Sequence, residues 1–367
     1  MSGQSVRGLR GQSARGFSLV ELLVAMAIAL LILAGVVNSF LASKETFRFN
    51  EELAFIQENA RYAVERLNRD IRQAGYFGCD NQNAHVVNVL DDDFDSFVDR
   101  PGLLGFEGNA TNSGFPAQIN DAINDTDALI VRFGDPASAY PVNDHTPPVL
   151  EIISADTYAD GTVFLVSDVN CAQQGLFEST AWTTGSAPAF KTTLTHSYAG
   201  NNCSQTIRGS SSGDCGDCSG GSCSWANPDP EYPKGSLVMR LAANAYFLAD
   251  SSADATVPAL FVESLGSGGV IARSELVTGV ENMQITYGVD TDADGVPDQY
   301  LDASSVAASD WNNVVAVRVQ LLLRSRAPVL PEPILRQDWL GISGYDTNDR
   351  FLRQVVTTTI RIRNYYG

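Results

Sequence analysis

Positive charge is scarce in this chain. Lysine and arginine together number 24 against 43 aspartates and glutamates, so the formal net charge is -19. A protein of that sign offers no general phosphate-binding surface, which excludes nucleic-acid binding as the main function. The balance suits a protein kept soluble by self-repulsion, or one that binds hard cations. Histidine is scarcer still: His85, His145 and His196 are the only three. Each stands in a polar setting and reads as a surface residue. The phosphate-cradling loop and the dinucleotide fingerprint are both missing. Residues 209–213 formally match G-x-S-x-G, but in a Ser/Gly stretch without the strand-to-helix elbow that motif requires. No catalytic set emerges, so a membrane-anchored enzyme is the weakest of the function classes.

Cysteine is missing from the first 78 residues, and then six appear: Cys79, Cys171, Cys203, Cys215, Cys218 and Cys223. An even count beyond an apolar segment points to disulfides in an oxidising compartment. Close spacing favours pairs within residues 203–223, and Cys79 with Cys171 is a weaker pairing; the connectivity stays open. A four-cysteine zinc site is disfavoured, because C-x₂-C here lacks a second paired knuckle.

Acidic residues are missing before Glu21, while Arg7, Arg10 and Arg15 precede it. Residues 1–16 are Gly/Ser/Arg-rich and are expected to be disordered and cytoplasmic by the positive-inside rule. Residues 17–42 form an apolar run long enough to cross a bilayer as a helix. The run exceeds a typical signal-peptide core and ends in no small-x-small cleavage site. A plain signal anchor would account for the run but not for the carboxylate at its start, which costs a few kcal/mol in hydrocarbon unless partnered. Snorkelling of Glu21 to the headgroup level is the alternative.

From Phe49 on, apolar residues recur at Leu53, Ile56, Ala60, Ala63, Val64, Leu67, Ile71 and Ala74. Steps of three and four mark one face of an amphipathic helix. Charged residues fill the other face; Glu65 and Arg69 stand four apart, as an ion pair requires. Gly75 supplies the stop. Gly35 offers a kink or a close approach of another helix. Residues 17–74 thus predict one helix, roughly 85–90 Å long at 1.5 Å per residue.

The segment Gly16-Phe17-Ser18-Leu19-Val20-Glu21-Leu22-Leu23-Val24-Ala25-Met26 resembles the leader junction of type IV pilins and pseudopilins. The resemblance implies cleavage between Gly16 and Phe17 by a prepilin peptidase and N-methylation of Phe17. It also implies an assembly role for Glu21, which would meet the N-terminal amine of a neighbouring subunit. Loss of residues 1–16 removes three arginines and no acid, taking the net charge from -19 to -22. Gln57-Glu58-Asn59-Ala60-Arg61-Tyr62-Ala63, Arg69-Asp70-Ile71-Arg72-Gln73-Ala74-Gly75-Tyr76 with Gly78-Cys79, the Tyr287-Gly288-Val289-Asp290 lead-in and the tail at 353–364 resemble the PilW family of minor pilins. Residues 80–235 show no such resemblance.

The implied fold is α+β, a pilin ladle. A long N-terminal helix, with a transmembrane half (17–42) and an amphipathic half (43–75), packs on an antiparallel sheet head (76–367). The head carries disulfide-containing loops, a variable region (about 80–235) and a C-terminal sheet (about 236–367). Strands are expected at 128–133, 149–153, 162–166, 236–241, 245–249, 260–263, 283–289, 314–324 and 355–363, spaced by turn residues. Hydrophobicity drops over about 170–235, and the low-complexity, cysteine-stapled segment 209–223 is expected to form an exposed disulfide loop.

The implied function is that of a minor pilin. It would prime pilus growth in a minor-pilin complex near the tip and support twitching motility and adhesion. The implied partners are other minor pilins, the major pilin, a PilY-type tip adhesin, the prepilin peptidase and the inner-membrane assembly platform. The implied place is the bacterial inner membrane, with a periplasmic head, and then the surface pilus. A J-type pseudopilin of type II secretion is the alternative; display of a binding module by residues 80–235 is another.

One stretch carries metal chemistry. Asp290-Thr-Asp292-Ala-Asp294-Gly295-Val-Pro-Asp298 places carboxylates at positions 1, 3, 5 and 9 with glycine at 6, as in the first part of an EF-hand loop. Position 12 is Leu301, so the loop is a shorter relative and a candidate Ca²⁺ site. An acidic hairpin turn without an ion explains the same residues. Asp91, Asp92, Asp93 and Asp95 lack such spacing and read as a solvated run. From residue 313 the chain holds eight arginines against four acids. That local excess suits contacts with acidic surfaces of neighbouring subunits, though a solvated strand face explains it too.

Overall fold

The computed structural model describes residues 18–78, 85–91, 97–98, 102–209, 213–214, 231–336 and 347–364. It contains two compact units, residues 1–52 and residues 53–367. One helix, α1 (Leu19–Ile71), supplies most of the described part of the first unit and the opening of the second. In the first unit apolar side chains are exposed all around it: Leu19 and Leu31 are each 74% exposed. Among the described residues α1 is the one helix long and apolar enough to cross a membrane.

The second unit is rich in strands. They are β1 (His85–Asn88), β2 (Leu103–Phe106), β3 (Ala128–Gly134), β4 (Tyr140–Thr146), β5 (Val149–Ile153), β6 (Val163–Ser167) and β7 (Gln173–Glu178). Next come β8 (Ala181–Thr183), β9 (Lys191–Thr195), β10 (Gly213–Asp214), β11 (Leu237–Asp250), β12 (Pro258–Leu265) and β13 (Ile271–Thr278). The last are β14 (Val280–Val289), β15 (Gln299–Asp302), β16 (Val314–Pro328), β17 (Ile334–Arg336), β18 (Thr347–Asp349) and β19 (Phe351–Arg361). Strands β15-β14-β16-β19 make a four-stranded antiparallel sheet. A 13-stranded sheet is organised around β11, which pairs with β3, β4, β6 and β12. All of its pairings are antiparallel except β1 with β7 and β10.

The spacing of apolar residues in α1 becomes a buried stripe. Ile56, Ala60, Ala63, Leu67 and Ile71 pack in one cluster with Leu129, Tyr246, Met283, Ile285, Val319, Leu321 and Ile360. This core therefore joins the helix to both sheets. Fully burying one aliphatic side chain contributes about 1.5–3 kcal/mol, so the stripe is what attaches the helix to the head. Gly75 closes the helix in the left-handed region at φ 74°, and its N–H donates to Arg132 O on β3 at 3.0 Å. The turn from β13 to β14 also needs glycine. Gly279 has φ 82°, and a Cβ there would stand 2.8 Å from the Arg324 carbonyl oxygen.

Two expectations change, and a third falls largely outside the described residues. The strands expected at 236–241 and 245–249 are one strand, β11, because Ala242, Ala243 and Asn244 pair with Phe133, Arg132 and Val131. Tertiary pairing overrides their weak intrinsic preference. Of the expected exposed disulfide loop, 209–223, only residues 209, 213 and 214 are described, and the flanking residues 170–208 and 231–235 are not all loop. They include β7, β8 and β9, and Cys203, Ile207 and Tyr232 are buried. The i,i+4 ion pair near the end of α1 is Arg66 with Asp70 at 3.3 Å, in place of the expected Glu65 with Arg69. Asp70 points inward and accepts from Asn244 Nδ2 at 2.8 Å and from the Tyr246 hydroxyl.

Candidate assembly and cation sites

Gly16 and Phe17 lie outside the described residues; Ser18 and Glu21 lie within them. The Glu21 N–H donates to Ser18 Oγ at 3.2 Å, and the Ser18 N–H donates to Glu21 Oε2 at 3.3 Å. That reciprocal pair is a capping box, satisfying two amides that a helix start leaves orphaned. Sequence reading missed it, although Ser-x-x-Glu before an apolar run is its signature. The box engages one carboxylate oxygen of Glu21. An ionised carboxylate has about four acceptor positions, so capacity remains for a cation. Around it Leu19, Val20, Leu22, Leu23 and Val24 are all exposed.

The acidic loop is the hairpin between β14 and β15. Ligand oxygens of Asp290, Asp292 and Asp294 lie within 4.8 Å of one another. Asp290 is buried and the other two are exposed. Asp290 builds the turn. Its Oδ1 accepts from the N–H of Ala293 at 2.8 Å, and its Oδ2 accepts from the N–H of Gly295 at 2.7 Å. Ala293 (φ 63°) and Gly295 (φ 81°) are both left-handed; glycine accepts that freely and alanine under strain. Negative Asp294 pushes the Asp292 carboxyl above its usual range. Asp298 stands apart from the trio. Its Oδ2 accepts from Thr291 Oγ1 at 2.6 Å and from Thr291 N at 2.7 Å, and the Thr291 hydroxyl holds it below the usual range. The sequence set of four therefore becomes three convergent carboxylates plus one that braces the loop. Three hard oxygen donors can hold a cation of the Ca²⁺ type, completed by carbonyls or water.

The cysteines divide between described and undescribed residues. Cys79, Cys215, Cys218 and Cys223 lie outside the described residues, as do Asp92, Asp93 and Asp95. Cys171 and Cys203 are both disulfide-bonded. Two histidines depart from the surface reading. His145 and His196 are buried, with their Nε2 atoms 3.0 Å apart. The Tyr232 N–H donates to His145 Nδ1 at 2.7 Å. His145 therefore carries its proton on Nε2 and donates it to His196. The two residues stand 51 positions apart, so no local pattern signals the pair.

A second buried group is also invisible in sequence. Asp127 accepts from the N–H of Gly108 at 2.9 Å and from the N–H of Ile285 at 2.7 Å. It thus ties the segment after β2 to β14 in the other sheet. Burial first, and the nearby Glu107 and Asp302 charges, push its carboxyl up to about 7; the two N–H donors oppose them.

Comparison with known proteins bears on the two ends of the chain. Residues 11–37 match the family described as prokaryotic N-terminal methylation motif, and residues 245–364 match that described as Type IV Pilus-assembly protein W. The chain is 38% identical over 71 residues to pilin-like protein PilA3 of Thermus thermophilus. That alignment covers 19% of this chain and 30% of the relative, so the chain spans less than a third of that protein's length. A solved type IV-like pilin from Thermus thermophilus is 12% identical, with a TM-score of 0.22, covering 57% of this chain and 87% of that one. An apolar N-terminal helix behind a methylation motif, followed by a β-rich head, defines a type IV pilin-like structural protein, not an enzyme. Within that class the match to the PilW family is carried by residues 245–364, from the end of β11 through β19.

Proposed function

We propose that the chain is a minor pilin that primes type IV pilus assembly within a minor-pilin complex at the pilus tip, and that it thereby supports twitching motility and adhesion. The observation that carries this reading is the start of α1: a capped carboxylate, Glu21, set in an apolar surface exposed all round. Such a surface needs lipid before assembly and neighbouring helices after it. Cleavage between Gly16 and Phe17 would create a cationic amine, methylated on Phe17. Glu21 of one subunit would take the amine of the next, since pairing removes the cost of a lone carboxylate in an apolar medium. The head would lie in the periplasm before assembly and on the cell surface afterwards. Its partners would be other minor pilins, the major pilin, a PilY-type adhesin, the peptidase and the assembly platform. Asp290, Asp292 and Asp294 would take Ca²⁺, with Asp298 bracing the loop. Deleting the gene and counting surface pili tests the reading. Loss of pili restored by the wild-type gene supports it; normal piliation with lost protein secretion overturns it in favour of a type II secretion pseudopilin.

A further inference from the structure

A cavity of about 370 Å³ opens where the end of α1 meets the end of β19. Its walls carry three guanidinium groups, from Arg69, Arg72 and Arg363, beside Gln73, Asn364 and Tyr76. Among the described residues no carboxylate lines it. Such a pocket runs against the composition of a chain with net charge -19.

Two observations set it apart from an ordinary solvated patch. First, the charges are uncompensated. Among the described residues Arg72 and Arg363 make no ion pair, and Arg69 reaches only Asp70, at 3.3 Å through Nε. Asp70 is already engaged by Arg66, Asn244 and Tyr246. Second, Nε of Arg72 is buried with no hydrogen-bond partner. A buried donor left unmade costs about 1–3 kcal/mol, and an oxyanion in the cavity would satisfy it. The helix dipole favours cations near the C-terminus of α1. It accounts for Arg69 and Arg72, but neither for Arg363, delivered from β19, nor for the orphaned Nε.

The walls are preset. The Arg363 N–H donates to Arg72 O at 3.2 Å, Asn364 Nδ2 donates to Gln73 O at 3.3 Å, and the Gly134 N–H donates to Tyr76 O at 2.6 Å. These bonds fix the backbone from which the Arg72 and Arg363 side chains project, so the pocket's frame needs no rearrangement on binding.

We propose that this pocket docks a carboxylate-bearing segment of a neighbouring pilin-type subunit. Forked guanidinium donors match carboxylates in two-bonded geometry. The cavity admits more than one acidic side chain, and a chain with 43 acids shows that subunits of this kind present carboxylates in quantity. The proposal rests on the assembly role above, and its test is independent of that role.

The full-length chain in neutral detergent is titrated with fluorescent hexaglutamate; hexaglutamine, inorganic phosphate and phosphatidylglycerol vesicles serve as comparison probes. Hexaglutamate is expected to bind, to weaken as salt rises, and to lose at least tenfold in affinity in Arg72→Gln/Arg363→Gln. Arg72→Lys/Arg363→Lys is expected to fall between the two, since lysine keeps the charge but lacks the fork. Arg69→Gln, at a side chain 61% exposed, is expected to leave the melting temperature unchanged while weakening binding, which separates docking from folding. Equal hexaglutamate affinity in wild type and Arg72→Gln/Arg363→Gln, or no binding to wild type, overturns the proposal. So does binding of phosphate or vesicles without hexaglutamate. Because the readout is in solution, a failed piliation assay leaves this result standing, and the reverse also holds.

Discussion

The two parts of α1 share one backbone conformation and opposite surroundings. From Leu19 to Arg48 every residue is exposed, and most of the first 24 positions are apolar. From residue 53 the same helix buries a single stripe and leaves charge on its other side. Periodicity, not composition alone, separates them. An amphipathic stripe finds its partner within the chain; the part apolar all round has none among the described residues, and such a surface suits lipid or other subunits. On the proposed function the first part serves assembly and the second serves folding, and substitutions should sort accordingly.

The sharpest break of that division is at Glu21. Glu21→Gln keeps the capping box, because glutamine also serves at that position, but removes the charge. Surface pili, counted by electron microscopy, are expected to fall at least tenfold, while the melting temperature of the detergent-solubilised chain stays put. Unchanged pilus numbers would reduce Glu21 to a helix cap. An equal loss in Glu21→Gln and Glu21→Ala with a lower melting temperature would move its role to folding.

The same substitution placed in each part gives the next contrast. Leu67 is fully buried in the cluster joining helix to sheets, whereas Leu31 is 74% exposed. Leu67→Ala is expected to cost about 2–5 kcal/mol in chemical denaturation, the range for a buried leucine that leaves a cavity. Leu31→Ala is expected to leave that value unchanged. Equal effects at both positions would erase the distinction between the parts.

What is legible in the sequence follows the same line. The helix, its buried stripe, the expected strand at 149–153 and the acidic hairpin rest on local periodicity and turn residues, and these survive in the structure. The Asp127 brace, the His145–His196 contact and the three-arginine pocket each join residues far apart in sequence. Nothing in a local pattern marks them. The Thr-rich strand β9 does not stand out as a strand in the sequence. Its alternation, with Thr192 and Leu194 buried between more exposed neighbours, is carried partly by threonine. The capping box at Ser18 and Glu21 does have a local signature, but the unusual charge draws attention from it.

Asp127 extends the comparison to pH. Its carboxyl titrates near 7 in the fold and near 3.9 in an unfolded chain. Between those values the folded state holds the extra proton, so stability falls as pH rises through that window and levels off above about 7. Each pH unit across the window corresponds to about 1.36 kcal/mol, so the fall attributable to this group is on the order of 2–4 kcal/mol. The melting temperature of wild type is expected to drop from pH 5 to pH 8, with a shallower slope in Asp127→Asn. A parallel slope in the two proteins would assign the dependence elsewhere.

The smallest effect expected is at the acidic hairpin. Ca²⁺ bound by Asp290, Asp292 and Asp294 would stabilise the fold by about 1.4 kcal/mol at a concentration ten times its Kd. A rise in melting temperature with Ca²⁺ is expected, with a smaller one for Mg²⁺, which demands tighter octahedral geometry. Asp292→Asn/Asp294→Asn should abolish the rise, and these residues suit the test because both are exposed and brace nothing outside the hairpin. Asp292 also fixes the sign of the pH effect. The Asp294 charge raises its carboxyl, so it is an early group to take up a proton as pH falls, and the Ca²⁺-dependent rise should shrink in acid. A rise that persists in the double variant would place the ion elsewhere, and none in wild type would leave the hairpin as a turn that tolerates its own repulsion.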